Sequence, residues 1–171
     1  MSFFGAYPRS TRQESDSEIL DFPFCPAVPS GWNSGHCSTD RSLHFSSAPL
    51  HGIVRAEVFQ RGRGPCCRGI LLTYKTGGQR ALGDCRLGFD SSQVYIAPVF
   101  LCAEPRRYKP DPAFDWQFRL VRVQFQGAEG HEHDEAGWEC YKLEGTVNFW
   151  FAHDQQYLEV IQAADTTSRV D

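Results

Sequence analysis

Between residues 69 and 89 the chain reads GILLTYKTGGQRALGDCRLGF, two apolar-rich runs on either side of Gly77-Gly78. Two glycines can both take positive φ, which permits the two-residue primed turn whose twist matches paired strands, so the stretch predicts a β-hairpin. With that turn Tyr74 faces Ala81, Leu72 faces Gly83 and Ile70 faces Cys85, because strand side chains alternate with period two. Each large apolar residue then meets a small one, as a packed face requires. The reverse face carries Thr73, Arg80, Asp84 and Arg86 among Leu71 and Leu82, which predicts a surface that is only partly covered.

The same alternation recurs elsewhere. GIVRAEVFQ, residues 52–60, predicts a strand buried on one face. VYIAPVFL, residues 94–101, is apolar on both faces, but Pro98 cannot donate a ladder hydrogen bond, so it predicts an edge strand or one ending near Ala97. The prolines of AEPRRYKPDPAFD predict a long surface loop. From Trp116 to Gln126 the apolar parity switches between Leu120 and Val121, which a β-bulge would reconcile. Residues 138–143 begin another strand, and residues 146–153 turn through Asp154-Gln155 into Tyr157 to Ile161. By parity Val147, Phe149 and Phe151 share one face of that strand. Trp150 lies on the other with Thr146 and Asn148, either exposed or covered by the amino-terminal segment.

Residues 1–50 are interrupted by Pro8, Pro23, Pro26, Pro29 and Pro49, with a short strand at most near residues 43–46. Phe22, Phe24, Val28 and Trp32 are too apolar for a free tail and predict a segment packed across the sheet. The organisation expected is an irregular segment (1–50), a β-domain (51–163) and a frayed tail (164–171). About seven strands and no convincing helix give an all-β fold, an antiparallel sandwich or partly closed barrel, with a three-sheet prism as a related alternative.

At 171 residues the chain fits one domain, and 13% aromatic content with 15 Gly agrees with strands and turns. A formal charge of −4 argues against a non-specific nucleic-acid binder. No run approaches the roughly 18 apolar residues of a membrane span. MSFFGAYPRSTRQESDSEIL does not read as a secretory signal. Seven cysteines, an odd number without a regular framework, read as mostly reduced thiols in the cytoplasm or nucleus.

Candidate chemistry concentrates in His131-Glu132-His133-Asp134-Glu135, where imidazole and carboxylate suit a transition metal. His131, His133 and Asp134 are the metal candidates, with further ligands to come from Cys140 or His153. A solvated acidic loop accounts for the same residues and is the reading adopted. His36, Cys37, Asp40 and His44, beside Cys25, form a second polar cluster without paired zinc spacing. Cys85 and Cys102 have apolar neighbours that make an inert thiol the expectation. No GxSxG elbow, P-loop, GxGxxG turn or HExxH helix is present. No catalytic residue and no cofactor is called for, and an enzyme is the less favoured class.

The residues Gly69, Leu71, Leu72, Tyr74, Gly77, Arg80, Leu82, Gly83 and Arg86, and later Gly145, Thr146, Phe149, Trp150 and Phe151, carry a resemblance. The chain resembles a group of β-rich domains in hypothetical proteins of filamentous fungi. That resemblance implies a fold unit and transfers no catalytic residue. The aliphatic-Tyr-Gly hairpin followed by Leu-Gly is also loosely similar to jacalin-type lectins, although their carbohydrate-binding loop is not evident. The function expected is a non-enzymatic protein-interaction module with Trp150, Arg80, Arg86, Asp84 and Thr73 as binding residues and a protein partner. A lectin-like domain binding a glycan is the alternative, and a small enzyme or metal-binding protein using residues 131–135 is the second.

Overall fold

Segments in which β-branched and aromatic residues alternate with polar ones pair into ten strands among the described residues. These are β1 (His44–Pro49), β2 (Ile53–Gln60), β3 (Cys67–Tyr74), β4 (Gln79–Gly83), β5 (Ser92–Ile96), β6 (Phe100–Tyr108), β7 (Phe118–Gln126), β8 (Glu139–Lys142), β9 (Thr146–Phe151) and β10 (Gln156–Ile161). The computed structural model describes residues 43–60, 62, 66–109, 117–128, 133, 136–152 and 155–162. The covering role expected of Phe22, Phe24, Val28 and Trp32, and the tail from 164, fall outside these residues.

The strands form three antiparallel sheets, ordered β1-β9-β10, β4-β3-β2-β5 and β7-β6-β8, and none closes into a barrel. All three contribute to one core: Ala48 and Phe149 from the first, Val58, Ile70 and Leu82 from the second, Leu101 and Val123 from the third. The all-β antiparallel class is therefore as expected. Within the span 1–50 expected to be irregular, His44–Pro49 form the sheet strand β1 and Leu50 is fully buried.

The β3–β4 hairpin forms with a different register. Ile70 pairs with Leu82, Leu71 with Ala81, Leu72 with Arg80 and Thr73 with Gln79. Gly77 N–H donates to the Tyr74 carbonyl and Tyr74 N–H to the Gly78 carbonyl, and of the two glycines only Gly77 has positive φ, at 83°. The loop is thus three residues long with a bulge at its end, which needs one left-handed residue where a primed two-residue turn needs two. The displacement reverses the two faces of β4. Leu82 joins Ile70 in the core, and Ala81, expected inside, is exposed.

Two other expectations are corrected. β6 and β7 pair without a register shift from Phe100↔Gln126 to Tyr108↔Phe118, so no bulge resolves the parity switch. Val121 enters the core, whereas Leu120 is buried on the opposite face, 5% exposed. Residues 103–108, read as loop, continue β6 through Pro105. β8 reaches only to the pair Ala103↔Glu139, so at Pro105 one side of β6 has no ladder to interrupt.

The sheets are joined by side chains as well as by the core. Gly83 N–H donates to Ser46 Oγ, linking β4 to β1. Gln156, on β10 and 8% exposed, accepts from Val121 N–H of β7 at 3.0 Å and donates to the Cys67 carbonyl of β3 at 2.8 Å. One amide thereby ties all three sheets together. Close backbone packing adds to this: a Cβ at Gly145 would lie 2.0 Å from the Ile161 carbonyl, one at Gly83 2.6 Å from the Phe149 ring, and one at Gly69 2.7 Å from Asp84.

Candidate functional site

Sheet edges and loops decide which side chains a partner could reach. Among the described residues β5 is an outer strand of its sheet, paired only with β2. Its Tyr95 turns inward, with the ring 5.8 Å from that of Phe125, and burial pushes the hydroxyl up to about 12. Val94 and Ile96 consequently project to the other side, 45% and 70% exposed. The loop leading into β5 adds Leu87 at 64% and Phe89 at 85%. Large apolar side chains clustered on an open edge are unusual for an isolated domain, because the unpaired backbone there can template a further strand.

Charged groups border this strand on β2. Val94 lies opposite Glu57, and Ile96 opposite Arg55. Arg55 Nη2 is 2.7 Å from Glu57 Oε2, and Ser92 Oγ donates to Glu57 Oε1 at 2.7 Å. The Ser92 hydrogen bond holds the Glu57 carboxyl below its ordinary range against the opposing effect of burial, with Arg55 adding to the depression. Just beyond β5 lies Ala97, whose φ of 46° is the one positive value at a non-glycine residue among those described. Its N–H still donates to the Val54 carbonyl at 2.8 Å.

The binding residues expected from sequence do not meet on one surface. Trp150 is 1% exposed, so the expectation that it anchors a partner is corrected. β9 is the middle strand of its sheet and four of its six residues are buried, which means that both of its faces are covered. Parity separated Trp150 from Phe149 but could not show which side is solvated. Phe45 and Tyr157 pack on the indole at 5.0 and 5.6 Å between ring centroids.

Asp84 and Arg86 are engaged within the β4–β5 loop. Arg68 Nη2 and Nε approach Asp84 Oδ2 at 2.6 and 2.9 Å, and Arg86 chelates Asp90 at 3.0 and 3.1 Å. The Arg86 guanidinium also lies 5.9 Å from the centroid of Phe89, steadying that ring. Thr73 accepts from Gln79 Nε2 at 3.2 Å on the outer face. Arg80 is instead on the side of Leu72, at the hairpin tip, where it lines an open cleft of about 360 Å³ with Pro49, His51, Tyr74 and Lys75. The Tyr74 hydroxyl, raised by burial, donates to the Pro49 carbonyl at 2.8 Å. A second cleft, about 210 Å³, lies between β10 and the β6–β8 pair, where burial raises Tyr141 to about 12 and its hydroxyl donates to Glu139 Oε2 at 2.5 Å.

The metal candidates His131 and Asp134 lie outside the described residues, as do His153 and, from the second cluster, His36, Cys37, Asp40 and Cys25. His133 Nε2 is 3.1 Å from Cys140 Sγ. Cys140 in turn is disulfide-bonded to Cys102, its direct partner across β6 and β8. Reduced thiols were expected for this pair, and the correction follows from a strand pairing that sequence spacing did not reveal. Cys67 and Cys85 are free thiols. Burial pushes the Cys67 thiol up and, with the Asp84 carboxylate, raises Cys85 to about 11, so neither is a ready nucleophile.

Trp138 stacks on the His133 imidazole with 4.5 Å between centroids and 9° between planes. Arg122 covers Trp138 at 5.1 Å and is held by Glu104 Oε2 at 3.1 Å. Glu104, 2% exposed, also pairs with Arg106 at 2.8 Å, so its buried charge is compensated by two guanidinium groups. No helix among the described residues is long and apolar enough to cross a membrane. Searches against protein-family models, curated proteins and solved structures found no match to the chain, so the site's geometry is the basis for reading its function.

Proposed function

We propose that the chain is a non-enzymatic protein-interaction module that receives an extended segment of a protein partner along β5. The observation that carries this reading is the open edge of β5 with Val94 and Ile96 exposed on one side, continued by Phe89 in the preceding loop. An added strand would take its main-chain hydrogen bonds from the β5 edge and its specificity from alternate side chains packed on Val94 and Ile96. Phe89, held by Arg86 in the loop that leads into β5, offers an aromatic anchor, and the Arg55–Glu57 pair supplies a polar border of the kind that surrounds apolar interface centres.

A photo-crosslinking residue placed at position 96 or 89, in cells of the native source, tests the reading. Cross-links to the same partner are expected from both positions and not from the exposed face of β4, sampled at position 81. Ile96→Glu and Phe89→Ser are each expected to weaken capture by at least about tenfold, equivalent to ~1.4 kcal/mol, with the circular dichroism unchanged. Partners retained undiminished by both folded variants would refute it.

A further inference from the structure

We propose that Cys102, His133 and Cys140 form a zinc site in the reduced protein, and that oxidation of the two cysteines to their disulfide closes it. This goes beyond partner binding on β5 and rests on a different part of the molecule.

The three donor atoms all lie within 4.8 Å of one another. Tetrahedral zinc, with bonds of about 2.3 Å to sulfur and about 2.0 Å to nitrogen, separates such donors by roughly 3.5–3.8 Å. The adjustment needed is within reach of rotations about side-chain bonds. The backbone is already placed, because Cys102 and Cys140 are direct partners in the β6–β8 ladder and remain opposite each other whether or not their sulfurs are joined. The imidazole is also oriented in advance. Trp138 lies flat against His133, Arg122, held by Glu104, backs the indole, and Nε2 of the imidazole faces the Cys140 sulfur.

The chemistry of the donors selects the ion. Two thiolates and an imidazole suit zinc and disfavour magnesium or calcium, which take oxygen ligands. Three protein ligands leave the fourth tetrahedral position for water or an incoming group. Cys102 is buried, whereas His133 and Cys140 are half-buried, so the ion has a path from solvent on the Cys140 side.

Conversion between the states needs a two-electron donor, for which we name a dithiol. Its two thiols become a disulfide while the Cys102–Cys140 bond breaks, and its two protons pass to the released sulfurs. Zinc then displaces both protons, so its affinity falls with decreasing pH. The two states exclude each other because sulfurs bonded together offer no thiolate.

Cobalt(II) titration of the full chain, reduced with a phosphine so that no added thiol competes, provides the test. One cobalt per chain is expected, with a thiolate-to-cobalt charge-transfer band and the intense visible bands of a tetrahedral ion, both erased by zinc. The disulfide form is expected to show neither. His133→Ala and Cys140→Ser, at half-buried positions, are each expected to weaken cobalt binding by at least about tenfold, the lower bound set by losses at outer-shell partners. Absence of the thiolate band from reduced, natively folded protein overturns the proposal, as does its persistence at full affinity in Cys140→Ser. Loss of the native circular dichroism on reduction with zinc present overturns it equally.

Discussion

Replacing Gln156 by Leu would remove the amide that joins the three sheets while nearly preserving its volume. The side chain accepts from Val121 N–H and donates to the Cys67 carbonyl, and both residues are buried, at 3% and 0% exposure. A buried backbone group left without its partner costs about 1–3 kcal/mol, so two such groups predict a loss of about 2–6 kcal/mol. Against the ~5–15 kcal/mol stability of ordinary domains, that loss is a large fraction of the whole. Urea unfolding followed by tryptophan fluorescence measures it, with an unchanged slope showing that the same surface is exposed. Gln156→Glu separates hydrogen bonding from shape. Its protonated carboxyl can reproduce both bonds, whereas its carboxylate accepts from Val121 N–H but sets a second oxygen against the Cys67 carbonyl. The folded-state pKa is therefore raised. The stabilisation is complete below the unfolded value of about 4.3 and is lost as pH rises through the folded value. A Leu variant within about 0.5 kcal/mol of wild type, the range of an inconsequential surface change, would refute the reasoning. So would a Glu variant whose stability relative to wild type is the same at pH 7 as at pH 4.

Three further outcomes are expected. Ser92→Ala removes the hydrogen bond that most depresses the Glu57 pKa; a carboxyl-carbon NMR titration should show that pKa rise. Because a lowered carboxyl pKa stabilises the fold above its unfolded value and is lost as pH falls through the folded one, the variant should also unfold at a higher pH during acidification. Reducing Cys102–Cys140, separated by 38 residues, should lower stability by about 4 kcal/mol on loop-closure entropy, read from chemical denaturation of both forms in a metal-free buffer. Ala97→Gly should raise stability by about 0.5–1 kcal/mol, since relief of the left-handed φ of 46° outweighs the added freedom of the unfolded chain, and calorimetry should record a higher Tm.

Local alternation made much of the framework legible: residues 52–60, the hairpin after Gly69 and the pair β9–β10 are all where the sequence expects them. Register was not legible in the hairpin, because Gly77-Gly78 accommodates either loop and the choice depends on Leu82 reaching the core beside Ile70. Parity likewise assigns Trp150 and Leu120 to a face, but burial of that face depends on what packs there. Pro105 reads as a loop residue in sequence because the end of β8, which frees one side of β6, is a property of the sheet. The site divides in the same way. His133 and Cys140 are seven positions apart and were associated from sequence, whereas Cys102 reaches them only through the β6–β8 ladder. The exposed set on β5 is hidden in sequence for a related reason: VYIAPVFL is apolar on both faces, and Pro98 divides it into pieces of two different sheets.

The glycines at 69, 83 and 145 amount to a steric record of the fold. Each marks a place where a methyl group would strike backbone or an aromatic ring, at 2.7, 2.6 and 2.0 Å respectively. The open-space glycines Gly52, Gly77 and Gly88 answer only to their dihedral angle, a demand that asparagine can meet in part. A descendant sequence can therefore drift at those turns while the three contact positions stay fixed. Ancestry in such a lineage would be traced by the distances between these glycines more faithfully than by overall identity.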